Sequence, residues 1–418
     1  MRPDRTYVTY LVETPISLED AAEAIAGEQS TGTFVTVPGE TEDVRTRFRA
    51  TVERVTPLGD SATPSLSGAR SSDDGVHRGG EVVVSYPIAS MGANLPTLVS
   101  TVAGNLYELR ELSGLRLLDI EFADAFRDAY AGPAFGIDGT REIAGVPQGP
   151  IVGTIVKPSV GLTPAQTAEL TRELAEAGID FIKDDELQAN GPHSLLRDRV
   201  EAVMRAINDH ADRTGKRVMY AFNVTDDVDG MLAHHDVVCD AGGSCVMVSL
   251  NSVGLAGVTA LARHARVPLH AHRNGWGMYT RHPLLGMDFR FYQKLWRLAG
   301  VDHIHVNALD NKFCESNDSV VDSIRACLTP MWGGYGVMPV VSSGQWGGQA
   351  PETYRRAATT DLMYLAGGGI MAHPGGPAAG VVAIRQAWDA AVSGIDLREH
   401  ARTHSELRQS IEKFGGAR

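Results

Sequence analysis

The sequence has few cysteines and no apolar run long enough to cross a membrane. None of its four cysteines belongs to a CxxC pair: Cys239, Cys245, Cys314 and Cys327. This spacing indicates neither a disulfide framework nor a cysteine-based zinc site, and predicts reduced thiols. The first residues, MRPDRTYVTYLVET, contain no apolar signal-peptide core, and no run of about 18 apolar residues follows. We therefore expect a soluble, cytoplasmic protein that does not bind a membrane.

Positive charge and nucleotide-binding motifs are also lacking. Lysine and arginine number 38 against 51 acidic residues, which gives a formal net charge of −13. A nucleic-acid partner would require basic surface, so nucleic acid is excluded as the main partner. Neither GxGxxG nor GxxxxGK[ST] occurs, so the phosphate loops of dinucleotide-binding and P-loop proteins are absent from the sequence.

The chain does have enough apolar material for a large domain and a smaller one. It contains 418 residues, of which 43% are hydrophobic, and 45 glycines. Residues 1–145 alternate strand-like with helix-like runs, which predicts an N-terminal α+β, ferredoxin-like domain with an antiparallel sheet. Its predicted strands are YVTYLVE (7–13), FRATVERV (48–55) and EVVVSYPI (81–88), and its predicted helices are SLEDAAEAIAGE (17–28) and LPTLVSTVAGNLYEL (95–109). Residues 59–80 are polar and rich in glycine, which predicts a long exposed loop or a loose hairpin.

From residue 146 to residue 418 the pattern changes to short apolar runs separated by helical segments. The eight runs are PIVGTIVKP, IDFIKDDE, RVMYAFNVT, CVMVSLNSV, VPLHAHRN, VDHIHVNAL, MPVVSSG and LMYLAGGGIMAHP. Eight strand–helix units in about 250 residues are typical of a TIM (β/α)8 barrel. A doubly wound open sheet is the alternative, but it more often carries a glycine-rich phosphate turn after its first strand. The pattern favours the barrel.

Polar residues follow nearly every predicted barrel strand. Because active sites of TIM barrels lie at the carboxyl ends of the strands, we expect these residues to meet at one mouth. They are Lys157; Lys183, Asp184, Asp185 and Glu186; His270, His272 and Arg273; His305 and Asn307; Ser342, Ser343 and Gly344; and Gly367, Gly368 and Gly369. Singly, Lys157 could be a rim lysine, and each histidine a hydrogen-bonded core residue rather than half of a metal pair. Gly367–Gly369 could be a turn or a phosphate site.

Lys183 has two interpretations. It could be the counter-ion of Asp185, since period-two alternation puts both on one side of the strand and Asp184 on the other. Alternatively, a neutral lysine amine can add CO₂ and become an anionic carbamate. Lys183 would then join Asp185 and Glu186 as an oxygen ligand of Mg²⁺, which prefers such ligands.

The ordered motifs resemble those of the RuBisCO large-chain family. They are EQSTGTFVTV, GNLYELRELSGLRLLDIEF, GTIVKPSVGLT, FIKDDE, HAHR, HVNALDNKF, PVVSSG and LAGGGIMAHPGGPAAG, and they cover nearly the whole chain. The resemblance implies an N-terminal α+β domain followed by a TIM barrel. It also implies a homodimer, or a higher assembly of it, whose active sites are shared between subunits, with no small subunit. The implied cofactors are Mg²⁺ and CO₂, the latter as a carbamate on Lys183.

The resemblance also implies roles for individual residues. Metal-binding roles fall on Lys183, Asp185 and Glu186, and catalytic roles on Lys157, His272 and Lys312. Substrate and phosphate binding falls on Thr33, Asn105, Arg273, His305, Ser342, Gly344, Gly368 and Gly369, while Glu28 and Asn105 reach across from the partner subunit.

Some residues depart from the carboxylating members of that family. Ser159 stands where carboxylases have a second lysine, and the loop NALDNKFCESN lacks their flanking glycines. The chain is therefore more similar to RuBisCO-like, form IV proteins that act on 3-oxo-isoapionate 4-phosphate in apiose catabolism. These are decarboxylases or transcarboxylase/hydrolases. The alternatives are an enolase or isomerase of a methylthio-sugar phosphate, a ribulose-bisphosphate carboxylase, and a non-catalytic scaffold.

Overall fold

The computed structural model describes residues 2–32 and 37–416, which form two compact units. The first comprises the described residues up to Ala131 together with Gly275–Ala299, and the second comprises Gly132–Asn274 and the described residues from Gly300 onward. The predicted boundary after residue 145 stays a prediction. The structure groups residues 132–145 with the second unit and residues 275–299 with the first.

The first unit is an α+β domain built on one sheet. Its strands are β1 (Arg5–Thr14), β2 (Thr51–Ser61), β3 (His77–Pro87), β4 (Gly114–Glu121) and, later in the chain, β10 (Leu285–Met287). Their order is β10-β4-β1-β3-β2, antiparallel except for the β10–β4 pair. Its helices are α1 (Leu18–Glu28), α2 (Glu42–Phe48), α3 (Ile88–Met91), α4 (Leu95–Val102), α5 (Ala125–Ala129), α11 (Trp276–Thr280) and α12 (Phe289–Ala299).

Capping side chains explain where two of these helices begin. The Ser17 side chain accepts a hydrogen bond from the Asp20 N–H, which starts α1 at the predicted place. The Thr41 side chain accepts one from Val44 in the same way and starts α2, a helix that the sequence analysis missed. Because α2 runs to Phe48, the strand predicted from residue 48 begins at Thr51 instead. Neither β4 nor β10 was predicted as a strand.

The second unit is a closed barrel of eight parallel strands, as predicted. The strands are β5 (Ile151–Ile155), β6 (Phe181–Lys183), β7 (Met219–Asn223), β8 (Cys245–Ser249), β9 (Leu269–His272), β11 (His303–His305), β12 (Met338–Val341) and β13 (Met363–Leu365). The helices are α6 (Gly136–Ala144), α7 (Pro164–Glu176), α8 (Leu196–Thr214), α9 (Val228–Asp240), α10 (Leu250–His264), α13 (Asn317–Leu328), α14 (Ala350–Ala357), α15 (Gly368–Met371), α16 (Gly376–Ser393), α17 (Leu397–His400) and α18 (Ser405–Phe414).

Alternate residues of the barrel strands form its core. Pairs two residues apart, such as Met219 with Ala221 and Met338 with Val340, are fully buried in one cluster that also contains Phe181. Two residues beyond Phe181, on the same side of β6, lies Lys183. The barrel thus turns Lys183 toward its interior. No helix in the described part of the chain is both long and apolar enough to cross a membrane.

Candidate active site

The lysine that ends β6 is completely buried. The Lys183 Nζ donates a hydrogen bond to the carbonyl oxygen of Asp184 at 2.7 Å. Burial lowers the pKa of the Lys183 amine to about 8, against the opposing attraction of the Glu186 and Asp185 carboxylates. Lys183 therefore has a substantial neutral fraction near physiological pH.

Asp185 forms an ion pair with the lysine at the end of the neighbouring strand. The Lys157 Nζ lies 2.5 Å from the Asp185 Oδ2, and it also donates to the Ser159 Oγ at 2.9 Å. The other carboxylate oxygen of Asp185 accepts from the Leu187 N–H at 3.1 Å. Burial raises the pKa of Asp185, but the Lys157 and Leu187 bonds outweigh it and hold that pKa below its ordinary value. The counter-ion of Asp185 is thus Lys157, whereas Lys183 bonds a backbone carbonyl.

Asp184 is held in a separate, fully buried network. Its carboxylate pairs with Arg199 at 3.1 Å, accepts from the Tyr220 hydroxyl at 2.7 Å and accepts from the Asn223 N–H at 2.9 Å. Both charged side chains are inaccessible to solvent. Asp184 therefore fixes the loop after β6 to buried residues of α8 and β7.

Glu186 lies near the histidine that ends β9. Its Oε2 is 3.6 Å from the His272 Nε2. Burial, and then the positive charge of Lys183, lower the pKa of His272 to about 3. The imidazole of His272 is thus neutral at physiological pH and can accept or donate one proton.

The donor chemistry of this cluster fits the Mg²⁺ site implied by the resemblance. Asp185 and Glu186 supply carboxylate oxygens, and the buried Lys183, with a pKa of about 8, supplies a neutral amine of the kind that can react with CO₂. Mg²⁺ bound by a few carboxylates and waters is a common arrangement. Lys183, Asp185 and Glu186 are the residues that would hold it.

His270 belongs to a hydrogen-bonded core rather than to a metal pair. Its Nε2 lies 2.8 Å from the Nε2 of His305, and its Nδ1 lies 3.3 Å from the Nδ1 of His303. The Nδ1 of His305 in turn lies 2.9 Å from the Ser342 Oγ. These contacts fix His305 and Ser342 at the ends of adjacent strands.

Arg273, assigned to phosphate binding by resemblance, pairs with a carboxylate of this chain. Its Nη2 is 2.8 Å from the Oε2 of Glu315, and both side chains are largely buried. The sequence analysis did not single out Glu315. Its position in the sequence could have indicated it. Glu315 is an acidic residue three positions after Lys312, in the loop whose sequence differs from that of the carboxylases.

The glycines lie beside two of the candidate lysines. Gly344 has a positive φ of 66°, and a Cβ added there would lie 3.6 Å from the backbone nitrogen of Lys312. A Cβ on Gly367 would lie 3.8 Å from the Lys157 Cε. Gly369 has no room for a side chain, since an added Cβ would meet the Gln345 carbonyl oxygen at 2.3 Å, whereas Gly368 has open space.

The Lys312 Nζ lies over the Phe313 ring, 5.3 Å from the ring centroid.

The remaining candidates belong to the first unit. Glu28 ends α1 and Asn105 lies in a 3-10 turn, and both are exposed. Thr33 lies outside the described residues. Their approach to a partner subunit's barrel stays a prediction.

Two family models cover almost the whole chain. The model of the ribulose bisphosphate carboxylase large chain, catalytic domain, matches residues 136–414, and the N-terminal domain model matches residues 5–126.

Relatives of known name match over nearly their full length. A 3-oxo-isoapionate-4-phosphate transcarboxylase/hydrolase of Xanthobacter autotrophicus is 52% identical, over 98% of this chain and 99% of its own. A 3-oxo-isoapionate-4-phosphate decarboxylase of Rhizobium etli is 48% identical, over 97% of this chain and 98% of its own.

Solved structures are similar as well. A RuBisCO-like protein from Burkholderia fungorum is 44% identical, with a TM-score of 0.90 over 98% of this chain and 99% of that one. A dimeric archaeal RuBisCO from Hyperthermus butylicus is 32% identical, with a TM-score of 0.87 over 99% of this chain and 97% of that one. The chain belongs to the RuBisCO large-chain family.

Proposed function

We propose that this protein is a Mg²⁺-dependent, RuBisCO-like decarboxylase of 3-oxo-isoapionate 4-phosphate that works in apiose-type sugar catabolism. The observation that carries the proposal is the likeness, at about half identity and nearly full length, to proteins named for two reactions of this one substrate. The same likeness disfavours a methylthio-sugar phosphate enolase, a ribulose-bisphosphate carboxylase and a scaffold.

The Mg²⁺ would be held by the carboxylates of Asp185 and Glu186 and by the carbamate of Lys183. When bound, a divalent cation there supplies a Lewis acid that stabilises negative charge developing on the substrate's keto oxygen. The Lys157 Nζ bonds the Asp185 Oδ2, so the lysine and the cation would share this carboxylate.

Lys157 is proposed to be the acid that completes decarboxylation. When the bond between the carboxyl group and the adjacent carbon of a β-keto acid breaks, its electron pair moves into an enediolate and CO₂ leaves. That carbon must then take up a proton, which the Lys157 Nζ provides, while Asp185 and Ser159 orient the amine. His272 and Ser342 are proposed to contact the substrate hydroxyls, and Lys312 its carboxylate.

The substrate's phosphate is proposed to bind at the loops that carry Gly344, Gly368 and Gly369. Backbone N–H groups in such glycine loops can surround an anion. We further propose a cytoplasmic homodimer in which Glu28, Thr33 and Asn105 of one subunit complete the site of the other. The dimeric relative from Hyperthermus butylicus supports that assembly.

A second candidate reaction, transcarboxylation followed by hydrolysis, is favoured by one observation. The 52% identical relative is named for it rather than for decarboxylation. The carboxyl carbon would then be kept in the products instead of leaving as CO₂.

An NMR time course with Mg²⁺ and 3-oxo-isoapionate 4-phosphate in D₂O separates these reactions. Decarboxylation predicts release of CO₂ and one deuterium on the carbon that carried the carboxyl group. A product that retains the carboxylate would establish the transcarboxylase/hydrolase. Absence of any reaction, with the fold intact by circular dichroism and Mg²⁺ bound, would contradict both.

A further inference from the structure

The ion pair between Arg273 and Glu315 is largely buried, and further hydrogen bonds hold its carboxylate. The Arg273 side chain is 5% exposed and that of Glu315 is 11% exposed. The Glu315 Oε2 also accepts from the Asn307 Nδ2 at 2.6 Å, and its Oε1 accepts from the Ser319 Oγ at 2.9 Å. Both oxygens of the carboxylate are therefore held, one by Arg273 and Asn307 and the other by Ser319.

These contacts join three separate parts of the barrel. Arg273 directly follows β9 and Asn307 lies two residues beyond β11, whereas Ser319 is in the first turn of α13. Glu315 itself lies in the loop between β11 and α13, three residues after Lys312. The carboxylate thus takes the position of an anion bound between two strand ends.

A carboxylate and a phosphate compete for the same face of a guanidinium group. Both accept its N–H groups in charge-assisted hydrogen bonds, and two such anions cannot share one buried cation without repelling each other. With Glu315 in place, a phosphate that approached Arg273 would meet a fixed negative charge.

We infer that Glu315 substitutes for a second phosphate and makes this enzyme specific for substrates with a single one. The inference rests on the proposed function and deepens it, because it leaves the loops of Gly344, Gly368 and Gly369 as the place where the substrate's only phosphate binds. A sugar bisphosphate is disfavoured because its second phosphate finds Arg273 already neutralised.

Binding of two probes that differ by one phosphate tests this inference. Dissociation constants for ribulose 5-phosphate and ribulose 1,5-bisphosphate are measured by calorimetry, with Mg²⁺, for the wild type, Glu315→Gln and the control Glu352→Gln. Glu352 pairs with Arg355 on the exposed side of α14 and offers a matched change of charge. We expect less than about a threefold preference for the bisphosphate in the wild type and the control, and about tenfold or more in Glu315→Gln.

Two outcomes would overturn it. A wild type that already prefers the bisphosphate more than tenfold would show that Glu315 blocks nothing, and this measurement requires no variant to fold. If Glu315→Gln raises the affinity for both probes by the same factor, Glu315 opposes the binding of any ligand and does not distinguish one phosphate from two.

A double variant confirms which group receives the second phosphate. Arg273→Gln with Glu315→Gln removes both buried charges together, and we expect the bisphosphate preference to fall back to the wild-type value. Neither probe experiment depends on turnover of 3-oxo-isoapionate 4-phosphate. Failure to turn over that compound would contradict the proposed function alone.

Discussion

Lys183 shows how burial changes the chemistry of one side chain. Removed from water at the end of β6, its amine has a pKa of about 8, although the nearby Asp185 and Glu186 carboxylates favour its charged form. An exposed lysine would be less than about 1% neutral at pH 8, because its pKa is near 10.4. The buried position therefore supplies the reactive form that a carbamate requires.

Carbamate formation on Lys183 is expected to follow that pKa. At constant CO₂ and Mg²⁺, the initial rate at which the ¹³C NMR signal of the carbamate grows should rise about tenfold per pH unit below pH 8 and level off above it, since only the neutral amine attacks CO₂. Lys183→Met should lack the signal, whereas Lys216→Met, which alters a lysine paired with Asp180, should retain it. An initial rate that keeps rising beyond pH 9 would contradict the lowered pKa.

Lys157 should be required for proton delivery rather than for folding. Lys157→Met is expected to lower kcat by about 10²-fold to 10⁴-fold, the usual contribution of a general acid. Ser159→Ala removes only one hydrogen-bond partner of the amine and should lower kcat by less than about tenfold. For both variants, steady-state kinetics give kcat, and the deuterium content of the product reports proton delivery. Equal losses in the two variants would show that Lys157 has a merely structural role.

At the scale of the element, the three acids that follow β6 lie in two different environments. Asp185 and Glu186 lie near Lys157 and His272, while Asp184 is bound by Arg199, Tyr220 and Asn223 in the interior. Period-two alternation predicts opposite sides for Asp184 and Asp185. It does not predict the arginine, which comes from α8.

Loss of one partner of the Asp184–Arg199 pair should destabilise the protein strongly. Arg199→Met leaves a buried carboxylate without its cation, which costs about 3–5 kcal/mol and should lower the apparent unfolding temperature by about 10 °C. Calorimetry measures this change. The control Arg213→Met breaks an exposed pair with Glu176 and should leave the temperature unchanged. Equal shifts in the two variants would contradict the assigned importance of burial.

Another element illustrates the limit of pattern analysis. Residues 275–299 lie between two barrel strands in the sequence, but β10 within them pairs with β4 in the sheet of the first unit. β10 has only three residues, LGM, all partly buried, so no alternation marks it. Such a strand is defined by its partner rather than by its own residues.

At the scale of the molecule, the barrel interior holds four neutral histidines. Burial lowers the pKa of His272 and of His303 to about 3, and lowers the pKa values of His270 and His305 well below their ordinary range. Contacts between ring nitrogens require one ring to donate and the other to accept, so protonation would break the network.

The barrel should therefore lose stability in mild acid. The unfolded chain binds protons near pH 6.5 while the folded chain does not, so stability falls as the pH drops below 6.5. At pH 5 the loss is about 2 kcal/mol for His272 and about the same for His303. The apparent unfolding temperature, measured from pH 7.5 to pH 5, should fall less steeply in His303→Gln. An identical slope in the wild type and in His303→Gln would contradict this origin.

The sequence by itself determined the barrel, the α+β domain and the position of most candidate residues. Hydrophobic runs, caps and chain order act locally, and the carboxyl ends of parallel strands necessarily meet at one mouth. The order of strands and polar residues along the chain therefore sufficed to place Lys157, Lys183 and His272 together. Residue chemistry and the family resemblance both pointed to Lys183, Asp185 and Glu186 as metal ligands, and this assignment stays a prediction.

The tertiary structure decided which charges pair. It assigned Asp185 to Lys157, Asp184 to Arg199, and Arg273 to Glu315, partners that lie 15 to 42 residues apart in the chain. No local pattern selects among so many acids and bases, because the free energy of a buried pair depends on distance and desolvation, which exist only once the strands and loops have packed.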